Sequence, residues 1–427
     1  MKSRGWAMNK VCVLGLGYIG LPTASILATH GFKVVGVDVN EKVLAKIRQG
    51  EPHIREPGLK TLVEAAVKSG SLLVRSQPEP ADVFIIAVPT PVTPDKKADL
   101  SFVKSAAESI LPVLEAGNLV ILESTCPPGT TKEFLAPILA QSGLEVGKEL
   151  FVAYCPERVL PGKILKELIG NDRVIGGINR ESAEKAKELY SAFVEGEIFL
   201  TDATTAEMVK LMENTYRDVN IALANEFALI CEELGIDVWK AIELANRHPR
   251  VNIHKPGPGV GGHCIPIDPW FIAEKVPQIA RLIKLSRQIN DKQPYRVFDL
   301  VIQLTRGIPS PKIAILGVSY KGNVDDTRES PAKVLIQLLK EHEYTVTAHD
   351  PYVEEFEHEL VGLEEALHNA DCAVIMTDHD QYRYLDPEDL GKLMRTKQVL
   401  DTRRVLNAEA WRKAGFHVRI LGNGEKA

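Results

Sequence analysis

The sequence has few cysteines for its length, and their spacing indicates neither a disulfide framework nor a zinc site. Six cysteines are scattered over 427 residues without a CxxC pair. Scattered thiols in a chain this long are typical of a reducing compartment, so we expect a cytoplasmic protein with free thiols. His263 and Cys264 are adjacent, but companion ligands at zinc spacing are missing, so we predict no metal.

Long apolar runs and an excess of positive charge are missing too. No stretch stays apolar over the ~20 residues that a membrane-spanning helix needs. The first eight residues lack the apolar core of a secretory signal. The formal net charge of −6 provides no basic field for nucleic acid or anionic lipid. The composition therefore predicts a protein that binds neither nucleic acid nor membranes.

What is present is a repeated alternation of strand-like and helix-like segments. Short, almost continuous apolar runs are separated by segments with helical periodicity, which is typical of a parallel, doubly wound α/β sheet covered on both faces. The first such runs are Val11–Leu14, Val34–Val37, Val83–Val88 and Leu119–Leu122.

The middle of the chain has a different, helical pattern. Thr204 and Glu207 have the spacing of a capping box, and the helix they would start continues to Leu234, on the order of 45 Å. A second long helix is predicted from Arg281 to Thr305. Alternation then restarts after a breaker at 307–311. We predict two doubly wound Rossmann-like domains, 8–202 and 309–427, joined by a long-helix central region, 203–308.

One glycine motif follows the first predicted strand directly. Gly15, Gly17 and Gly20 form GxGxxG before a helix, and Asp38 ends the next strand. These glycines permit a tight turn, close approach of a pyrophosphate and close helix packing, and the helix amino terminus attracts phosphate. A carboxylate at Asp38 would bind the ribose 2′-hydroxyl, which favours NAD over NADP. The alternative is a glycine turn without a ligand.

A second glycine-rich loop, Gly257–Gly262, precedes Cys264, with Asp268 four residues beyond. Such a loop permits unusual backbone angles and close approach of a ligand, which suits a nucleophilic thiol better than a buried one. The thiolate would need a nearby cation, because Asp268 alone opposes it. A tight structural loop is the alternative.

Other polar residues occupy positions where ligands bind α/β proteins. Lys210 and Asn214 share one face of the first long helix, and Thr125 and Glu157 follow predicted strands. A lysine in a site stabilises an oxyanion, and a glutamate activates water. A solvated helix stripe and loop capping are the alternatives.

Several cations follow strands of the last α/β segment. Lys321, Arg328 and Arg403 have the positions and the charge to hold phosphates. A surface charge cluster is the alternative explanation.

Several motifs occur together and in order between Lys10 and Gly422. They are GLGYIGLP, VPTP, ESTCPPGTT, PERVLPG, GVGGHC and SYKGNVDDTRESP. In this combination the chain resembles the nucleotide-sugar 6-dehydrogenase family. The resemblance implies four-electron oxidation of a sugar C6 alcohol to a carboxylate with two NAD⁺ in turn. It also implies a UDP-sugar substrate held largely by the carboxy-terminal domain, and a homodimer through the central helices.

The resemblance also implies roles for individual residues. Cys264 would form a thiohemiacetal and then a thioester, and Asp268, with water and Lys210, would be the base for the alcohol. Glu157 would activate the hydrolytic water, which Thr125 positions. The implied catalytic residues are Cys264, Lys210, Asn214, Asp268, Glu157 and Thr125, with Lys210 and Asn214 stabilising the oxyanions. The implied cofactor-binding residues are Gly15, Gly17, Tyr18, Ile19, Gly20, Asp38, Thr90 and Thr125. The implied substrate-binding residues are Glu157, Arg158, Lys210, Asn214, Arg250, Gly261, Lys321, Arg328 and Arg403; Arg250 or Arg247 would cross between subunits.

The neighbours of the cysteine indicate the sugar. UDP-glucose enzymes of this family usually carry serine and lysine where this sequence has His263 and Ile267. The observed form resembles the branch that acts on N-acetylated sugars, which implies UDP-N-acetylmannosamine as substrate. UDP-N-acetylglucosamine, its C2 epimer, is the alternative, and UDP-glucose is less favoured. A non-catalytic nucleotide-binding protein, or a simple aldehyde or hydroxyacid dehydrogenase, would not need all these motifs.

Overall fold

Short apolar runs form strands throughout the chain, which the computed structural model describes over residues 8–424. Two compact units result. The first contains the residues up to 213 together with 270–277, and the second contains 214–269 and the residues from 278 onward. The predicted α/β class with two parallel-type sheets is confirmed. The three predicted domain boundaries stay predictions.

The first unit contains an eight-stranded sheet. Its strands have the order β3-β2-β1-β4-β5-β6-β7-β8. They are β1 Lys10–Leu14, β2 Lys33–Val37, β3 Leu72–Arg75, β4 Val83–Ile86, β5 Leu119–Leu122, β6 Phe151–Tyr154, β7 Arg173–Gly177 and β8 Ile198–Asp202. All pairs are parallel except β6 with β7, which is antiparallel. The strands predicted from the sequence, β1, β2, β4 and β5, pair in parallel as expected.

Helices pack on both faces of this sheet. Alternate residues of one strand belong to different apolar clusters, with Val11 and Val13 in one and Cys12 and Leu14 in the other. Both faces are therefore covered, which explains the nearly continuous apolar strands. The helices are α1 Gly20–Thr29, α2 Glu41–Arg48, α3 Leu59–Lys68, α4 Ser101–Ile110, α5 Ala136–Leu139, α6 Ile164–Gly170 and α7 Arg180–Tyr190; a π-helical turn, Thr131–Leu135, precedes α5.

One long helix, α8, runs from Ala203 to Leu234 and has residues in both units. The capping box predicted for Thr204 and Glu207 is wrong. Asp202 caps this helix, because its carboxylate accepts bonds from the Thr205 backbone N–H at 2.9 Å and hydroxyl at 2.6 Å. Glu207 is buried and binds elsewhere.

The second unit contains five parallel strands in the order β10-β9-β11-β12-β13, another doubly wound arrangement. The strands are β9 Lys312–Leu316, β10 Thr345–His349, β11 Cys372–Ile375, β12 Gln398–Asp401 and β13 His417–Ile420. The helices after α8 are α9 Val238–Ala245, α10 Asp268–Lys275, α11 Arg281–Asp291, α12 Gln293–Leu304, α13 Pro331–Glu341, α14 Leu363–Leu367, α15 Pro387–Leu393 and α16 Ala408–Lys413.

The second long helix predicted from the sequence is two helices. α11 ends at Asp291 and α12 begins at Gln293, with Pro294 in its first turn. Proline lacks the N–H that would bond to the preceding turn, and its ring clashes with the carbonyl four residues earlier. The expectation of one helix from Arg281 to Thr305 is therefore wrong.

Candidate active site

The turn between β1 and α1 has the geometry of a dinucleotide site. Gly15 has φ +88°, and a Cβ there would lie 2.6 Å from the Ala87 carbonyl oxygen. A Cβ at Gly20 would lie 1.8 Å from the Gly15 oxygen. At Gly17, by contrast, a Cβ would meet no atom within 4 Å. The outer glycines are thus needed for packing, and the middle one leaves room for a phosphate.

The residues around this turn also fit a dinucleotide. Asp38, at the end of β2 and partly exposed, accepts from the Leu16 N–H at 3.0 Å and the Asn40 N–H at 2.9 Å. Its carboxylate stands beside the turn, where a ribose diol would bind. Tyr18 is 38% exposed, and Ile19 directly precedes α1, whose first turn presents backbone N–H groups.

β1 and β4 are neighbours where the strand order reverses, which is where open α/β sheets bind ligands. The Thr90 hydroxyl, just after β4, donates to the Thr125 carbonyl oxygen at 2.6 Å. This bond links the loops that follow β4 and β5. The structure thus brings two of the predicted cofactor-binding residues together.

Glu207 holds the loop that follows Thr125. Its carboxylate accepts from the backbone N–H groups of Gly129 at 2.5 Å and Thr131 at 2.7 Å, and Cys126 Sγ lies 3.7 Å away. Burial raises the pKa of Glu207, although these bonds oppose the rise. Sequence reasoning missed this residue, because its partners lie far away in the chain.

Lys210 and Glu157 form the most enclosed ion pair among the predicted residues of the first unit. Lys210 Nζ lies 2.8 Å from both Glu157 Oε1 and the Glu157 carbonyl oxygen. The side chains are 6% and 12% exposed. The ammonium group thus fixes the carboxylate, whose Oε2 also accepts from the Val159 N–H at 2.9 Å.

Arg158, a predicted substrate ligand, is engaged with protein groups. Its guanidinium lies 2.7 Å from Glu213 Oε1 and donates to the Asp172 carbonyl oxygen at 2.9 Å. Its predicted contact with substrate stays a prediction, and these bonds show that it also fixes the loop beside Glu157.

In the second unit the cysteine loop packs against the SYKGNVDDTRESP segment. A Cβ at Gly261 would lie 2.6 Å from the Glu329 carbonyl oxygen and from Tyr320 Cβ. Gly262 has φ +90°, and its N–H donates to the Arg328 carbonyl oxygen at 2.8 Å. The two motifs therefore form one structure, and the glycines are required by this packing. Tyr320 is a contact that the sequence did not predict.

Asn214 and Asp268 meet beside Cys264. Asn214 Nδ2 donates to Asp268 Oδ2 at 2.6 Å. Asp268 is 2% exposed, and its backbone N–H donates to the Cys264 carbonyl oxygen at 2.8 Å. The predicted carboxylate, amide and thiol residues are thus adjacent, with the carboxylate oriented by the amide.

A buried polar chain fixes the start of the cysteine loop. The Gly257 N–H donates to Asn225 Oδ1, Asn225 Nδ2 donates to Asn290 Oδ1, and Asn290 Nδ2 donates to Asp218 Oδ1. Arg287 lies 2.5 Å from the same Asp218 oxygen. Sequence reasoning missed these residues, although 214, 218 and 225 share one face of α8 by helical spacing.

Cys264 and Cys231 differ from the other four thiols in exposure. Both are partly exposed, whereas the other four are buried. Burial raises the pKa of five thiols, which disfavours their reactive thiolate form. These are Cys12 and Cys372, each with a pKa of about 12, and Cys126, Cys155 and Cys231.

The predicted phosphate ligands lie on the second unit. Lys321 is exposed, while Arg328 pairs with Asp326 through Nη2 at 2.6 Å. Arg403 contributes to a cleft of about 870 Å³, where Asp378 Oδ1 lies 3.4 Å from its Nη2. The cleft is also lined by Arg247, Lys255, Arg383, Arg404 and Trp239. This lining is strongly basic, as a diphosphate site would be.

Arg250 is exposed, and Arg247, the other candidate for a cross-subunit arginine, lines the basic cleft. Within residues 8–424, no group of three or more His, Cys, Asp or Glu side chains is placed to hold a metal ion. No helix in that described range is long and apolar enough to cross a membrane.

Three domains of one protein family match successive parts of the chain. The NAD binding domain of the UDP-glucose/GDP-mannose dehydrogenase family matches residues 9–194, its central domain matches 204–292, and its UDP binding domain matches 314–408.

Individual relatives match over nearly the whole chain. UDP-N-acetyl-D-mannosamine dehydrogenase of Methanocaldococcus jannaschii is 55% identical over 425 residues, 98% of this chain and 98% of that protein. NDP-N-acetyl-D-galactosaminuronic acid dehydrogenase of Ralstonia nicotianae is 48% identical over 412 residues, 93% of this chain and 96% of that protein. The solved structure of UDP-D-ManNAc dehydrogenase from Pyrococcus horikoshii has a TM-score of 0.92 and 44% identity, covering 98% of this chain and 100% of that one.

Proposed function

This chain belongs to the UDP-glucose/GDP-mannose dehydrogenase family, and on that premise we propose that it oxidises UDP-N-acetyl-D-mannosamine at C6 to the uronate. NAD is the cofactor of this enzyme. The observation that carries the proposal is the occurrence, in one chain, of the Gly17 turn with Asp38 and of a partly exposed Cys264 on a glycine loop.

Oxidation of an alcohol to an acid removes four electrons in two steps. NAD⁺, when bound, supplies a hydride acceptor, and two molecules are used per product. Gly15, Gly17 and Gly20 would hold the pyrophosphate at the turn. Asp38 would accept from the ribose hydroxyls and repel a 2′-phosphate.

Cys264 would convert the planar aldehyde, a poor hydride donor, into a tetrahedral adduct that can give up the second hydride. Its thiolate adds to the aldehyde carbon, so that a C–S bond forms and the carbonyl oxygen becomes an oxyanion. Loss of a hydride from this thiohemiacetal leaves a thioester. Asn214 and Lys210 are proposed to stabilise the oxyanions, because amide N–H groups and an ammonium group are the donors they require.

Proton transfers are assigned to two carboxylates. Asp268, oriented by Asn214, is proposed to remove the proton of the C6 hydroxyl, with water and Lys210. Glu157 is proposed to activate the water that hydrolyses the thioester, and Thr125 to position that water. Hydrolysis breaks the C–S bond and returns the Cys264 thiolate.

The UDP group is proposed to bind the second unit, through Lys321, Arg328 and Arg403. The basic cleft at Arg403 and the UDP binding domain match over 314–408 support this placement. The N-acetylated sugar is supported by His263 and Ile267 and by relatives that bear such substrates in their names. UDP-N-acetylglucosamine remains the alternative, because epimers differ by only a few kcal/mol in a pocket.

A substrate panel tests the function. The protein is incubated with UDP-N-acetylmannosamine, UDP-N-acetylglucosamine or UDP-glucose, with NAD⁺ and NADP⁺ in parallel, and NADH and acid product are measured. We expect two NADH per acid with the first sugar, and preference for NAD⁺ because of Asp38. Activity confined to UDP-glucose, or none on any UDP-sugar, would overturn the proposal.

We also propose a homodimer through the central helices. Large apolar side chains are exposed on α8 and α11, among them Tyr216 at 60%, Leu234 at 65% and Leu282 at 64%. Exposed apolar groups of this number are typical of a covered surface.

Light scattering on the purified protein tests this association. We expect twice the 47.1 kDa of one chain, and a shift toward the monomer for the double variant Leu282→Glu, Leu285→Glu. The matched control is Tyr384→Glu. Tyr384 is also a large exposed side chain of the second unit, but it lies outside α8–α12. A monomeric wild type would contradict the dimer.

A reducing, cytoplasmic compartment is part of the same proposal. The six cysteines are scattered along the sequence without a CxxC pair, which supports a protein that functions without disulfides.

A further inference from the structure

The turn after β9 is fixed by one buried carboxylate. Asp350, which follows β10, accepts at Oδ2 from the backbone N–H groups of Val318 at 2.7 Å and Ser319 at 3.1 Å. Asp38 has the equivalent bond in the first unit, from Leu16. The two carboxylates differ in access, since the Asp350 side chain is 0% exposed.

His379 is the group that covers Asp350. Its Nε2 lies 3.0 Å from Asp350 Oδ2 and 3.2 Å from Ser319 Oγ, and its Nδ1 lies 2.9 Å from the backbone N of Asn323. The imidazole is fully buried and stacks on Tyr352 at a centroid distance of 4.9 Å. It therefore joins both ends of the turn 319–323.

These partners determine where the imidazole proton lies. A backbone N–H can only donate, so Nδ1 must accept from Asn323 and carries no proton. Nε2–H then donates to the Asp350 carboxylate. These bonds fit the neutral ring, because a proton on Nδ1 would point at the Asn323 N–H, which is itself a donor.

The groups that face the ring are Asp350, the Asn323 N–H and two tyrosines. Burial acts to raise the pKa of Asp350, but the bonds from His379 and from backbone amides outweigh burial and lower it. Tyr352 and Tyr382 face the ring, and burial raises the pKa of Tyr382. Asp380 binds the side chain of Asn323 at 2.6 Å.

Lys321 is at the centre of the turn that these bonds hold. Its carbonyl oxygen accepts from Ser319 Oγ at 3.0 Å, and its own side chain is exposed. The backbone on either side of Lys321 is therefore tied to buried groups, while its ammonium group is available to a ligand.

We propose that His379, as the neutral Nε2–H tautomer, is a positioning residue that holds the Lys321 turn ready for the UDP group. The proposal rests on the proposed function, which places UDP at Lys321.

Three replacements separate the two bonds of the ring. In His379→Asn, the amide oxygen takes the place of Nδ1 and can still accept from Asn323. In His379→Gln, the amide N–H takes the place of Nε2 and can still donate to Asp350. His379→Phe keeps the aromatic packing and makes neither bond. The matched control is His417→Asn, because His417 is an exposed histidine of the same unit.

Calorimetric titration of the full-length protein with UDP alone, at neutral pH, tests the proposal. We expect His379→Phe and His379→Gln to weaken UDP binding about tenfold or more, because both lose the bond from Asn323. We expect His379→Asn to bind UDP nearly as the wild type does, because it keeps that bond. NAD⁺ affinity should be unchanged in all of them, and His417→Asn should match the wild type throughout.

The UDP affinities of the variants decide whether His379 positions the Lys321 turn. UDP affinity unchanged in a folded His379→Phe variant would overturn the positioning role. If that variant does not fold, as judged by circular dichroism, the comparison of His379→Asn with His379→Gln decides, and equal UDP affinities for these two variants would overturn the proposal. Failure of the wild type itself to bind UDP would instead contradict the proposed function.

Discussion

We expect oxidation to the uronate to fall by about a thousandfold or more when Cys264 is replaced by serine, because the proposed covalent step depends on a sulfur nucleophile. A serine hydroxyl adds to an aldehyde poorly, and an oxygen ester would not be formed at the same rate. In the proposed mechanism the first oxidation does not use the thiol, so we expect NADH without acid for a limited number of turnovers. Product acid and NADH are measured separately for this variant.

The matched control for this result is Cys231→Ser. Cys231 is the other partly exposed cysteine, and burial raises the pKa of its thiol. That variant is expected to oxidise substrate at the wild-type rate and to leave iodoacetamide labelling at Cys264 intact. Uronate formed by Cys264→Ser at the wild-type rate would rule out the thiohemiacetal.

The second large effect is expected for Glu157→Gln, which should stall the enzyme after both oxidations. Glutamine keeps an oxygen for Lys210 Nζ and leaves the 2.8 Å bond from Lys210 to the backbone carbonyl oxygen of residue 157 in place. It loses only the bond from the Val159 N–H, because an amide nitrogen cannot accept it. It cannot take a proton from water, so thioester hydrolysis should slow by about 10²–10⁴-fold. A rapid burst of two NADH per chain is expected, followed by a slow steady rate.

Intact-protein mass spectrometry identifies the stalled species. The chain should gain the mass of the UDP-uronyl group on Cys264, and hydroxylamine should remove it. Glu213→Gln is the matched control, because Glu213 is a glutamate of α8, the helix that also carries Lys210, and its partner is Arg158. A normal steady-state rate for Glu157→Gln, without an adduct, would show that another group activates the water.

Local sequence patterns were sufficient for the features that depend on neighbours in the chain. The order of strand, glycine turn and helix at Gly15, Gly17 and Gly20 predicts the observed geometry, because Gly15 and Gly20 pack against each other and against Ala87, which directly follows the adjacent strand β4, while Gly17 stays open. The length of α8 followed from its helical pattern and from Gly235 beyond its end. The strands that neighbour this turn were also predicted, because each is a short apolar run in the sequence.

Features that depend on distant partners were not predicted, or were predicted wrongly. Glu207 has the spacing of a cap, but buried amides 76 and 78 residues away offer its carboxylate better-placed donors. The glycines of the cysteine loop indicated access for a ligand, whereas the structure shows that Gly261 also permits contact with Tyr320. His379 had no local signal at all. Its importance arises from Asp350 and Asn323, which lie far from it in sequence.

One missed signal was present locally. Pro294 lies inside the segment predicted as a single helix, and a proline there ends or kinks a helix. The sequence therefore contained the break between α11 and α12, and the helical periodicity on both sides obscured it.

The buried carboxylate of Asp350, in the second unit, bears on where one chain can bind a dinucleotide. Both units carry a doubly wound sheet with an aspartate against the turn after the first strand, but only Asp38 is open to a ribose diol. At Asp350, a diol would have to displace the buried His379 and would then compete with backbone amides already bound there. A dinucleotide held through a ribose diol is therefore expected at the first sheet and not at the second, which the proposed function assigns to UDP.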